Sequence, residues 1–403
     1  MNERPLAVLL EAIHPAADAP LREAGFEVER LERSPEAVQL TALLQRATVL
    51  GLRSKTRLAE PALQAARNLA AVGCFCIGTD QVDLACAARN GVPVFNSPFS
   101  NTRSVAELTI AEIIALSRRL CDKSAQLHQG VWDKSAKESR EVRGRTLGIV
   151  GYGHIGSQLS VLAEGLGMRV VYFDIARRLA MGNAHALPSL QAVLEASDVV
   201  SVHVPDTDRT RGLIGAAEIA RMRRGALLIN NSRGRVVDLQ AVAGALRSGH
   251  LAGAAVDVFP DEPAENGRGF QTPLAGLPNV LLTPHIGGST EEAQEAIAAD
   301  VAEKMARFWT HGTTATAVNF PQVDLPQVKH GLLRILHVHR NVPGVLGTMH
   351  TLLARAGINI HAEFLQSDRE TSFVILDVDP FGDAALLDGL RAMPETIRMR
   401  IAR

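Results

Sequence analysis

The 403-residue sequence predicts an α/β protein with two doubly wound parallel sheets, followed by a ferredoxin-like module of βαββαβ order. Two observations predict this fold. Short buried apolar runs alternate with helical patterns along most of the chain, which favours parallel strands joined by right-handed crossovers. Beyond residue 330, two successive strand-like runs stand between two helical patterns, which is the order of a ferredoxin-like unit. The length also exceeds what one hydrophobic core normally supports.

The composition is that of an ordinary globular protein, with 46% apolar residues, 21% charged residues and a formal charge of −1. A balanced charge gives no long-range attraction to nucleic acid or anionic membranes. The apolar run Leu6–Leu10 is too short for a signal peptide, and no run reaches the roughly 18 residues of a membrane span. We therefore expect a cytoplasmic protein without a nucleic-acid or membrane partner.

The cysteine pattern argues against disulfides and against a metal site. Cys74, Cys76, Cys86 and Cys121 all lie in the first third of the chain, which is no disulfide framework. Cys74 and Cys76 have no second pair of ligands with the spacing of a zinc site. We expect the pair to be small buried side chains and expect no metal.

The first series of strands and helices occupies the first hundred residues and leads into a long helix. The predicted elements are strands Ala7–Leu10, Thr48–Leu52, Leu69–Cys74 and Val92–Phe95 and helices Ala16–Ala24 and Ser104–Leu120. Ser104 and Glu107 have the spacing of a capping box, so the long helix is expected to begin at Ser104.

A second series begins near residue 146 and predicts another doubly wound sheet. Its predicted strands are Leu147–Val150, Val170–Phe173, Val199–His203, Ala226–Asn230, Gly253–Asp257 and Val280–Thr283. The segment Val318–Pro326 has two prolines and no period, so it is predicted to be a linker. The C-terminal module then has strands Leu332–His339, Ile358–Gln366, Ser372–Val378 and Ile397–Ile401 and helices Gly344–Ala356 and Ala384–Met393.

A glycine-rich turn follows the first strand of the second series. Gly151, Gly153 and Gly156 form G-x-G-x-x-G between a strand and a helix, and Asp174 ends the next strand. This context predicts a Rossmann-like dinucleotide site with the pyrophosphate at the helix N-terminus. Gly151 is expected to permit the tight turn, Gly153 to admit the pyrophosphate, and Gly156 to let the helix pack on the strand.

Asp174 is expected to accept hydrogen bonds from the adenosine ribose, which favours NAD over NADP because a carboxylate repels a 2′-phosphate. Arg177 and Arg178 follow, and a basic residue there can restore binding of NADP. A tight turn without any nucleotide is the alternative.

Three polar segments follow predicted strands, where ligands bind in open α/β sheets. They carry Arg233, Glu262 and His285. Removing hydride from C2 of a 2-hydroxy acid needs a base for the hydroxyl proton, and His285 has a suitable pKa. Glu262 would orient the imidazole, and Arg233 would hold the substrate carboxylate. Singly, each residue has an ordinary alternative: a satisfied loop histidine, a surface arginine or a solvated glutamate.

These motifs resemble those of the D-isomer-specific 2-hydroxyacid dehydrogenases, in which the matching Arg, Glu and His are catalytic. The resembling segments are Gly151–Gly156, Asn231–Gly234, Asp257–Pro263 and Thr283–Gly288. The glycine turn, the resemblance and the strand ends together give an expected cofactor site. Its residues are Gly151, Gly153, His154, Ile155, Gly156, Asp174, Asn231, Ser232, Arg233, Asp257, His285, Gly287 and Gly288.

Other segments resemble bacterial members of this family that act on a phosphorylated substrate. They are Gly51–Thr56, Gly73–Asp80, Asn96–Glu107 and Gly130–Lys134. Cationic, hydroxyl and amide groups suit a phosphate, although a solvated basic loop is the alternative. The expected substrate residues are Arg53, Ser54, Lys55, Asn101, Arg233 and Gln294. Lys55 stands where an arginine is common, and a lysine offers only a point charge.

The resemblance implies NAD-dependent oxidation of 3-phospho-D-glycerate to 3-phosphohydroxypyruvate, the first step of L-serine synthesis. Reduction of 2-oxoglutarate to 2-hydroxyglutarate is a further expected activity. Two alternatives stay open: a dehydrogenase for a different D-2-hydroxy acid, and a non-catalytic NAD-sensing corepressor.

The C-terminal module resembles an ACT domain, an amino-acid sensor. The resemblance implies that L-serine binds at His339, Asn341 and Asn359 and inhibits by feedback. Val342 stands where such enzymes often carry arginine, and a purely structural dimerisation module is the alternative. We expect edge-to-edge pairing of these modules in a homo-oligomer, by resemblance a tetramer.

The resemblance and the helix after His285 together predict a discontinuous domain order. We expect a substrate-binding domain over residues 1–98 and 288–325, an NAD-binding domain over 99–287 and an ACT regulatory domain over 332–403.

Overall fold

The computed structural model describes residues 4–263, 266–382 and 384–402. The chain divides into two compact units, one of Met1–Ser100 with Gln294–Arg403 and one of Asn101–Ala293. Met1 to Glu3 and Arg403, the outer ends of the predicted domains, lie outside the described residues. The predicted division into three domains stays a prediction.

The first unit opens with a parallel sheet of order β2-β1-β3-β4-β5. Its strands are β1 Leu6–Leu9, β2 Glu27–Arg30, β3 Val49–Leu52, β4 Ala71–Cys74 and β5 Val94–Asn96. Its helices are α1 Asp18–Glu23, α2 Ala37–Arg46, α3 Glu60–Ala65 and α4 Leu84–Arg89, with a 3₁₀ turn at Pro15–Ala17. The parallel sheet was expected, but β2 was not, because its Glu-Val-Glu-Arg sequence has only one apolar side chain.

The second unit contains a larger parallel sheet of order β12-β11-β10-β9-β6-β7-β8. Two helices precede it, α5 Thr102–Arg118 and α6 Leu120–His128. The strands are β6 Thr146–Val150, β7 Arg169–Phe173, β8 His185–Ala186, β9 Val199–Val202, β10 Ala226–Asn230, β11 Leu251–Val256 and β12 Val280–Leu282. The helices are α7 His154–Gly165, α8 Leu190–Ala196, α9 Ala216–Arg221 and α10 Leu239–Arg247, with a 3₁₀ turn at Gly234–Val236.

The predicted start and end of the helix over Ser104–Leu120 are wrong. Helix α5 begins after Asn101 and ends before Arg119, whose left-handed φ of 51° separates α5 from α6. The Ser104 hydroxyl contacts Thr290 Oγ1 at 2.9 Å instead of capping the helix, and Glu107 pairs with Arg103. The capping-box spacing occurs here inside a helix rather than at its end.

A long helix, α11 Glu291–His311, connects the chain back to the first unit. The segment predicted to be a linker follows it, and it does lack helix and strand. However, Phe320, Val323 and Leu325 are buried in the core of the first unit, so the segment is packed rather than extended in solvent. Its prolines prevent ladder hydrogen bonds, but its apolar side chains still bury surface.

The C-terminal module has the predicted βαββαβ order and an antiparallel sheet of order β14-β15-β13-β16. Its elements are β13 Leu333–Arg340, α12 Val345–Arg355, β14 Ile360–Ser367, β15 Thr371–Val378, α13 Ala384–Arg391 and β16 Thr396–Ala402. Helices α12 and α13 cover one sheet face. Leu336, Val338 and Phe373 of the other face share a buried cluster with the five-stranded sheet and α11. The predicted fold class is confirmed.

Within the described residues, no helix is both long and apolar enough to cross a membrane. The cysteines are all described and are all free thiols, and Cys74 and Cys86 are buried.

Candidate active site

Arg233, Glu262 and His285 follow three neighbouring strands of the second unit. Strands β10, β11 and β12 are parallel and adjacent, so their carboxyl ends meet at one edge of the sheet. There, His285 Nδ1 lies 2.7 Å from Glu262 Oε2. The carboxylate accepts a hydrogen bond from the Nδ1–H group, which leaves Nε2 as the basic atom of the neutral ring. Side chains 23 positions apart in sequence thus form the expected pair.

The two members of this pair change each other's pKa. The hydrogen bond with Glu262 raises the pKa of His285, against the opposing effect of partial burial. Partial burial favours a higher pKa for Glu262, but hydrogen bonds from His285 and the Phe259 N–H, with the charges of His285 and Arg233, lower the pKa overall. Each shift favours the charged pair, so the site stabilises an imidazolium at position 285.

Asp257 holds the loop on which His285 stands. Its carboxylate, 2% exposed, accepts hydrogen bonds from Thr283 Oγ1 at 2.6 Å and from the N–H groups of Ile286 and Gly287 at 2.8 Å. His285 itself has a left-handed φ of 55°. Such a backbone conformation is costly for a residue with a Cβ and persists where surrounding contacts fix it, typically at functional sites.

Arg233 stands on a turn that Asn230 organises. Asn230 is fully buried, and its Nδ2 donates to Arg233 O at 3.1 Å. Its Oδ1 accepts from the Ser232 hydroxyl at 2.7 Å and from the Ser232 N–H at 3.2 Å. The Arg233 guanidinium donates to Ser232 O at 2.8 Å. These contacts fix the backbone from which the arginine projects.

Gly234 is required because another backbone occupies the space of its side chain. A Cβ there would lie 2.0 Å from Phe259 C and 2.4 Å from Pro260 N. The turn after β10 therefore packs directly on the segment leading to Glu262. This contact explains the glycine after Arg233, which the motif alone did not.

The glycine-rich turn has the geometry that the sequence predicts. Gly151 has a φ of +93°, and a Cβ would lie 2.3 Å from His203 O. A Cβ at Gly156 would lie 2.3 Å from Gly151 O. A Cβ at Gly153 would meet nothing within 4 Å among the described residues, so this side of the turn is open. Helix α7 begins at His154, with Ile155 in its first turn.

Asp174 follows β7 beside this turn. Its Oδ2 accepts from the Tyr152 N–H at 2.9 Å, and its Oδ1 accepts from the Ala176 N–H at 2.8 Å. Arg178 Nε lies 3.6 Å from Oδ2. A carboxylate has about four acceptor positions, so capacity for a ribose hydroxyl remains.

Asn231, expected to contact a cofactor, directs its amide into the protein instead. Its Nδ2 donates to Thr109 Oγ1 at 2.9 Å and to Glu112 Oε2 at 2.7 Å, both on α5. Its predicted role stays a prediction, since its backbone remains at the strand end.

Arg53, Ser54 and Lys55 form a loop after β3 in the first unit. Arg53 is half-buried, whereas Ser54 and Lys55 are exposed. Gln294 lies in the first turn of α11. Asn101 belongs to the second unit, where a Cβ on Gly288 would lie 2.2 Å from its Nδ2. The roles of these residues in substrate binding stay predictions.

The three residues of the C-terminal module that are predicted to bind L-serine do not come together within one chain. His339 is 3% exposed, with Nδ1 2.9 Å from Arg340 O, and Asn341 Nδ2 donates to Asp368 O at 2.8 Å. Asn359 precedes β14, at the opposite end of the sheet, because Ile360 pairs with Val378 whereas His339 pairs with Ser372. The ends of an eight-residue strand are roughly 25 Å apart.

Comparison with known proteins decides the family. Residues 110–287 match the D-isomer specific 2-hydroxyacid dehydrogenase, NAD binding domain, and residues 335–398 match the AHAS small subunit-like ACT domain. The chain is 50% identical over 394 residues to D-3-phosphoglycerate dehydrogenase of Dictyostelium discoideum, covering 98% of this chain and 96% of the relative. It belongs to the D-isomer-specific 2-hydroxyacid dehydrogenase family. The D-3-phosphoglycerate dehydrogenase of Escherichia coli (strain K12) is also 50% identical, over 397 residues, with the same coverage.

The solved structure of another dehydrogenase is also similar to this chain. The D-lactate dehydrogenase from Aquifex aeolicus, complexed with NAD and lactic acid, is 28% identical with a TM-score of 0.64. The match covers 75% of this chain and 95% of that chain. The dehydrogenase thus carries the NAD-binding domain that the sequence predicted.

The geometry of the glycine turn fits NAD. The open side of Gly153 gives a pyrophosphate close access to the backbone at the start of α7. The first N–H groups of a helix have no partner within the helix and suit an anion. Asp174 lies at the end of the adjacent strand, as ribose recognition requires.

Three positioning groups of the dehydrogenase were not found from the sequence: Asn230, Glu112 and the N–H of Phe259. Asn230 could have been suspected, because an Asn at the end of a buried strand needs a polar partner. Glu112 interrupts the apolar face of α5, and that irregularity was the available signal.

Proposed function

We propose that this dehydrogenase oxidises 3-phospho-D-glycerate to 3-phosphohydroxypyruvate with NAD. The observation that carries the reaction type is the 2.7 Å hydrogen bond between His285 and Glu262 beside Arg233 on adjacent strand ends. The names of the relatives that are 50% identical support the choice of substrate.

In the proposed reaction, the hydroxyl on C2 loses its proton and C2 loses a hydride. His285 Nε2 accepts the proton, because Nδ1 already donates to Glu262. Glu262 stabilises the resulting imidazolium, because its lowered pKa keeps Glu262 in the carboxylate form. The hydride takes the electron pair of the C2–H bond, and the electron pair of the former O–H bond forms the C2 carbonyl. NAD, when bound, supplies the acceptor of that hydride.

Arg233 would bind the substrate carboxylate. Its planar guanidinium can donate two parallel hydrogen bonds to a carboxylate and can polarise the developing carbonyl. The Asn230 turn and the close packing at Gly234 hold the backbone from which it projects. This clamp would fix C2 relative to His285.

We propose that Arg53, Ser54 and Lys55 bind the substrate phosphate, with Asn101 and Gln294 as further contacts. A half-buried guanidinium, a hydroxyl and an ammonium suit a phosphate better than an uncharged group. Reduction of 2-oxoglutarate at the same residues would use its distal carboxylate in place of the phosphate.

Steady-state kinetics with 3-phospho-D-glycerate, D-glycerate and, in reverse, 2-oxoglutarate test the substrate assignment. The proposal predicts a kcat/KM for the phosphorylated acid at least roughly tenfold above that for D-glycerate, the effect of one good charged hydrogen bond. Equal values would contradict the phosphate site. Failure of all three substrates would contradict the substrate assignment and would favour a different D-2-hydroxy acid.

We further propose that the C-terminal module, within residues 332–403, binds L-serine between two chains. Strand β14 is a sheet edge, and antiparallel pairing of two β14 strands brings opposite ends together. Asn359 of the partner subunit would then approach Asn341, which contacts the β14–β15 turn through Asp368 O. This arrangement requires a homo-oligomer for inhibition.

A homotetramer needs a second interface, and the second unit offers exposed apolar side chains. Leu120, Leu127, Val131 and Trp132 are 51 to 79% exposed. These residues lie close together in sequence, on α6 and directly after it, and grouped exposed apolar side chains typically mark an association surface.

We also propose that the protein is located in the cytoplasm. Its four cysteines are free thiols, which suits a reducing compartment.

Inhibition by L-serine and sedimentation test this regulatory proposal together. We expect a tetramer and a lower rate with millimolar L-serine, and we expect Asn359→Ala to abolish inhibition without changing the uninhibited rate. A monomeric enzyme that L-serine still inhibits would contradict a site shared between chains.

A further inference from the structure

A buried carboxylate lies beneath the loop to which we assign the substrate phosphate. Glu11 follows β1, which pairs with β3, so it stands beside the loop that follows β3. It is 7% exposed, and its two oxygens accept hydrogen bonds from the N–H groups of Lys55 at 3.0 Å and Thr56 at 2.7 Å. One side chain therefore holds two consecutive peptide groups of the loop.

The backbone at Glu11 is unfavourable unless its contacts fix it. Glu11 has a φ of 63° and Ala12 a φ of 51°, both in the left-handed region that residues with a Cβ rarely adopt. Strained residues of this kind cluster where the surrounding structure needs a particular geometry. At Glu11 the left-handed backbone occurs together with a side chain whose carboxylate faces the loop.

Two further side chains hold the same loop. Gln81 Nε2 donates to Arg53 O at 2.7 Å, and the hydroxyls of Ser34 and Thr56 lie 2.8 Å apart. Thr56 is buried, at 3% exposed. The backbone is thus fixed at Arg53, Lys55 and Thr56, while the side chains of Ser54 and Lys55 remain exposed.

We propose that Glu11 is a positioning residue that fixes the loop of Arg53, Ser54 and Lys55 in the conformation that binds the substrate phosphate. The proposal rests on the proposed function. Because Glu11 occupies the N–H groups of Lys55 and Thr56, those groups do not bind the phosphate. Recognition of the phosphate then depends on the Arg53, Ser54 and Lys55 side chains, and on Glu11 to align them.

The test compares the full-length wild type with E11A, E11Q and N319A, using 3-phospho-D-glycerate and D-glycerate as substrates. Alanine removes both acceptor oxygens, whereas glutamine keeps one. Asn319 is a matched control in the same unit, because its side chain also binds backbone groups, those of Leu84, Val92 and Val94, away from the loop. Thermal unfolding of each variant measures the purely structural effect.

We expect E11A to reduce the ratio of kcat/KM for the phosphorylated acid to that for D-glycerate by at least roughly tenfold, mainly through KM. E11Q should show a smaller reduction, because one hydrogen bond remains. N319A should lower the melting temperature without changing the ratio. Should E11A fail to fold, the reduced ratio in E11Q carries the test.

An unchanged ratio in E11A and E11Q, with a wild type that prefers the phosphorylated acid, would overturn the role of Glu11 and leave the proposed function intact. Equal reduction for both acids would assign Glu11 a merely structural role and would also overturn the proposal. A wild type without preference would overturn the proposed phosphate site, and this proposal with it.

Discussion

Asn231 Nδ2 donates a 2.7 Å hydrogen bond to Glu112 Oε2 in the interior of the NAD-binding domain. Glu112 is 3% exposed. Burial, together with the nearby charge of Asp257, raises the pKa of its carboxyl from the ordinary 4.5 to about 7, against the lowering effect of the Asn231 hydrogen bond. Glu112 therefore binds a proton in the folded protein at pH values where the unfolded chain has lost it.

This linkage predicts that E112Q is stabilised relative to the wild type as pH rises. The wild type loses stability between the unfolded pKa near 4.5 and the folded pKa near 7, and no more above it. Glutamine stays neutral and can still accept from Asn231. We expect no difference in the free energy of unfolding at pH 4.5 and about 3 kcal/mol in favour of E112Q at pH 8, measured by chemical denaturation.

The control for this prediction is E107Q, on the same helix. Glu107 is 59% exposed, so its substitution should change the free energy of unfolding by less than about 1 kcal/mol. If the difference in free energy of unfolding between E112Q and the wild type did not depend on pH, the folded protein would not raise the pKa of Glu112, and the prediction would be wrong.

The pair of Glu262 and His285 predicts a shift in the pH dependence of oxidation. Oxidation needs neutral His285, so kcat/KM should rise with pH through the His285 pKa, which Glu262 holds above 6.5. In E262Q this rise should move to lower pH, and kcat should fall by roughly 10²-fold. D261N, at an exposed neighbouring acid, should keep the wild-type profile. An unshifted profile in E262Q would exclude the proposed coupling.

Two glycine substitutions with opposite expected signs test the packing of the Arg233 turn. In G234A the new Cβ would lie 2.0 Å from Phe259 C, so the backbone must shift and both stability and kcat should fall. In G244A the new Cβ meets nothing within 4 Å among the described residues, inside α10. There alanine should stabilise by about 0.5–1 kcal/mol. Thermal unfolding and kcat check both, and a tolerated G234A would contradict the described contact.

The buried ion pair of Arg334 and Asp377 predicts strong asymmetry between single and double substitution. Arg334 Nε and Nη2 contact the two carboxylate oxygens at 2.6 and 2.8 Å, and Arg334 is 1% exposed. D377A leaves a buried charge unpaired and should cost about 3–5 kcal/mol of unfolding free energy. The double variant R334M/D377L should be more stable than D377A, because no unpaired charge remains, and it should stay below the wild type, because His311 O and Pro326 O lose the Arg334 Nη1 donor. A double variant as unstable as D377A would contradict this expectation.

Most of the fold could be predicted because the buried strands are continuous apolar runs. The exceptions have separate physical causes. Strand β2 is a charged edge whose pairing with β1 depends on tertiary context. The break at Arg119 depends on a left-handed conformation that is rare for arginine. The burial of Phe320 could not be inferred from a segment without periodicity.

The candidate site could be predicted as residue types at strand ends, but not as contacts. Parallel strands place Glu262 and His285 at one edge, which made their pairing predictable. Glu11 lies far from its loop in sequence, and no local pattern connects it to Thr56. The separation of Asn359 from His339 depends on strand direction, because β13 and β14 are both antiparallel to β15 and the two residues lie at opposite ends of these strands.

NADH formation from 3-phospho-D-glycerate and NAD by the wild type and H285Q tests the proposed role of His285. We expect NADH formation by the wild type and a loss of at least roughly 10²-fold in kcat for H285Q, with folding unchanged, because glutamine cannot accept the hydroxyl proton. Full activity in H285Q, or none in a folded wild type, would contradict these expectations.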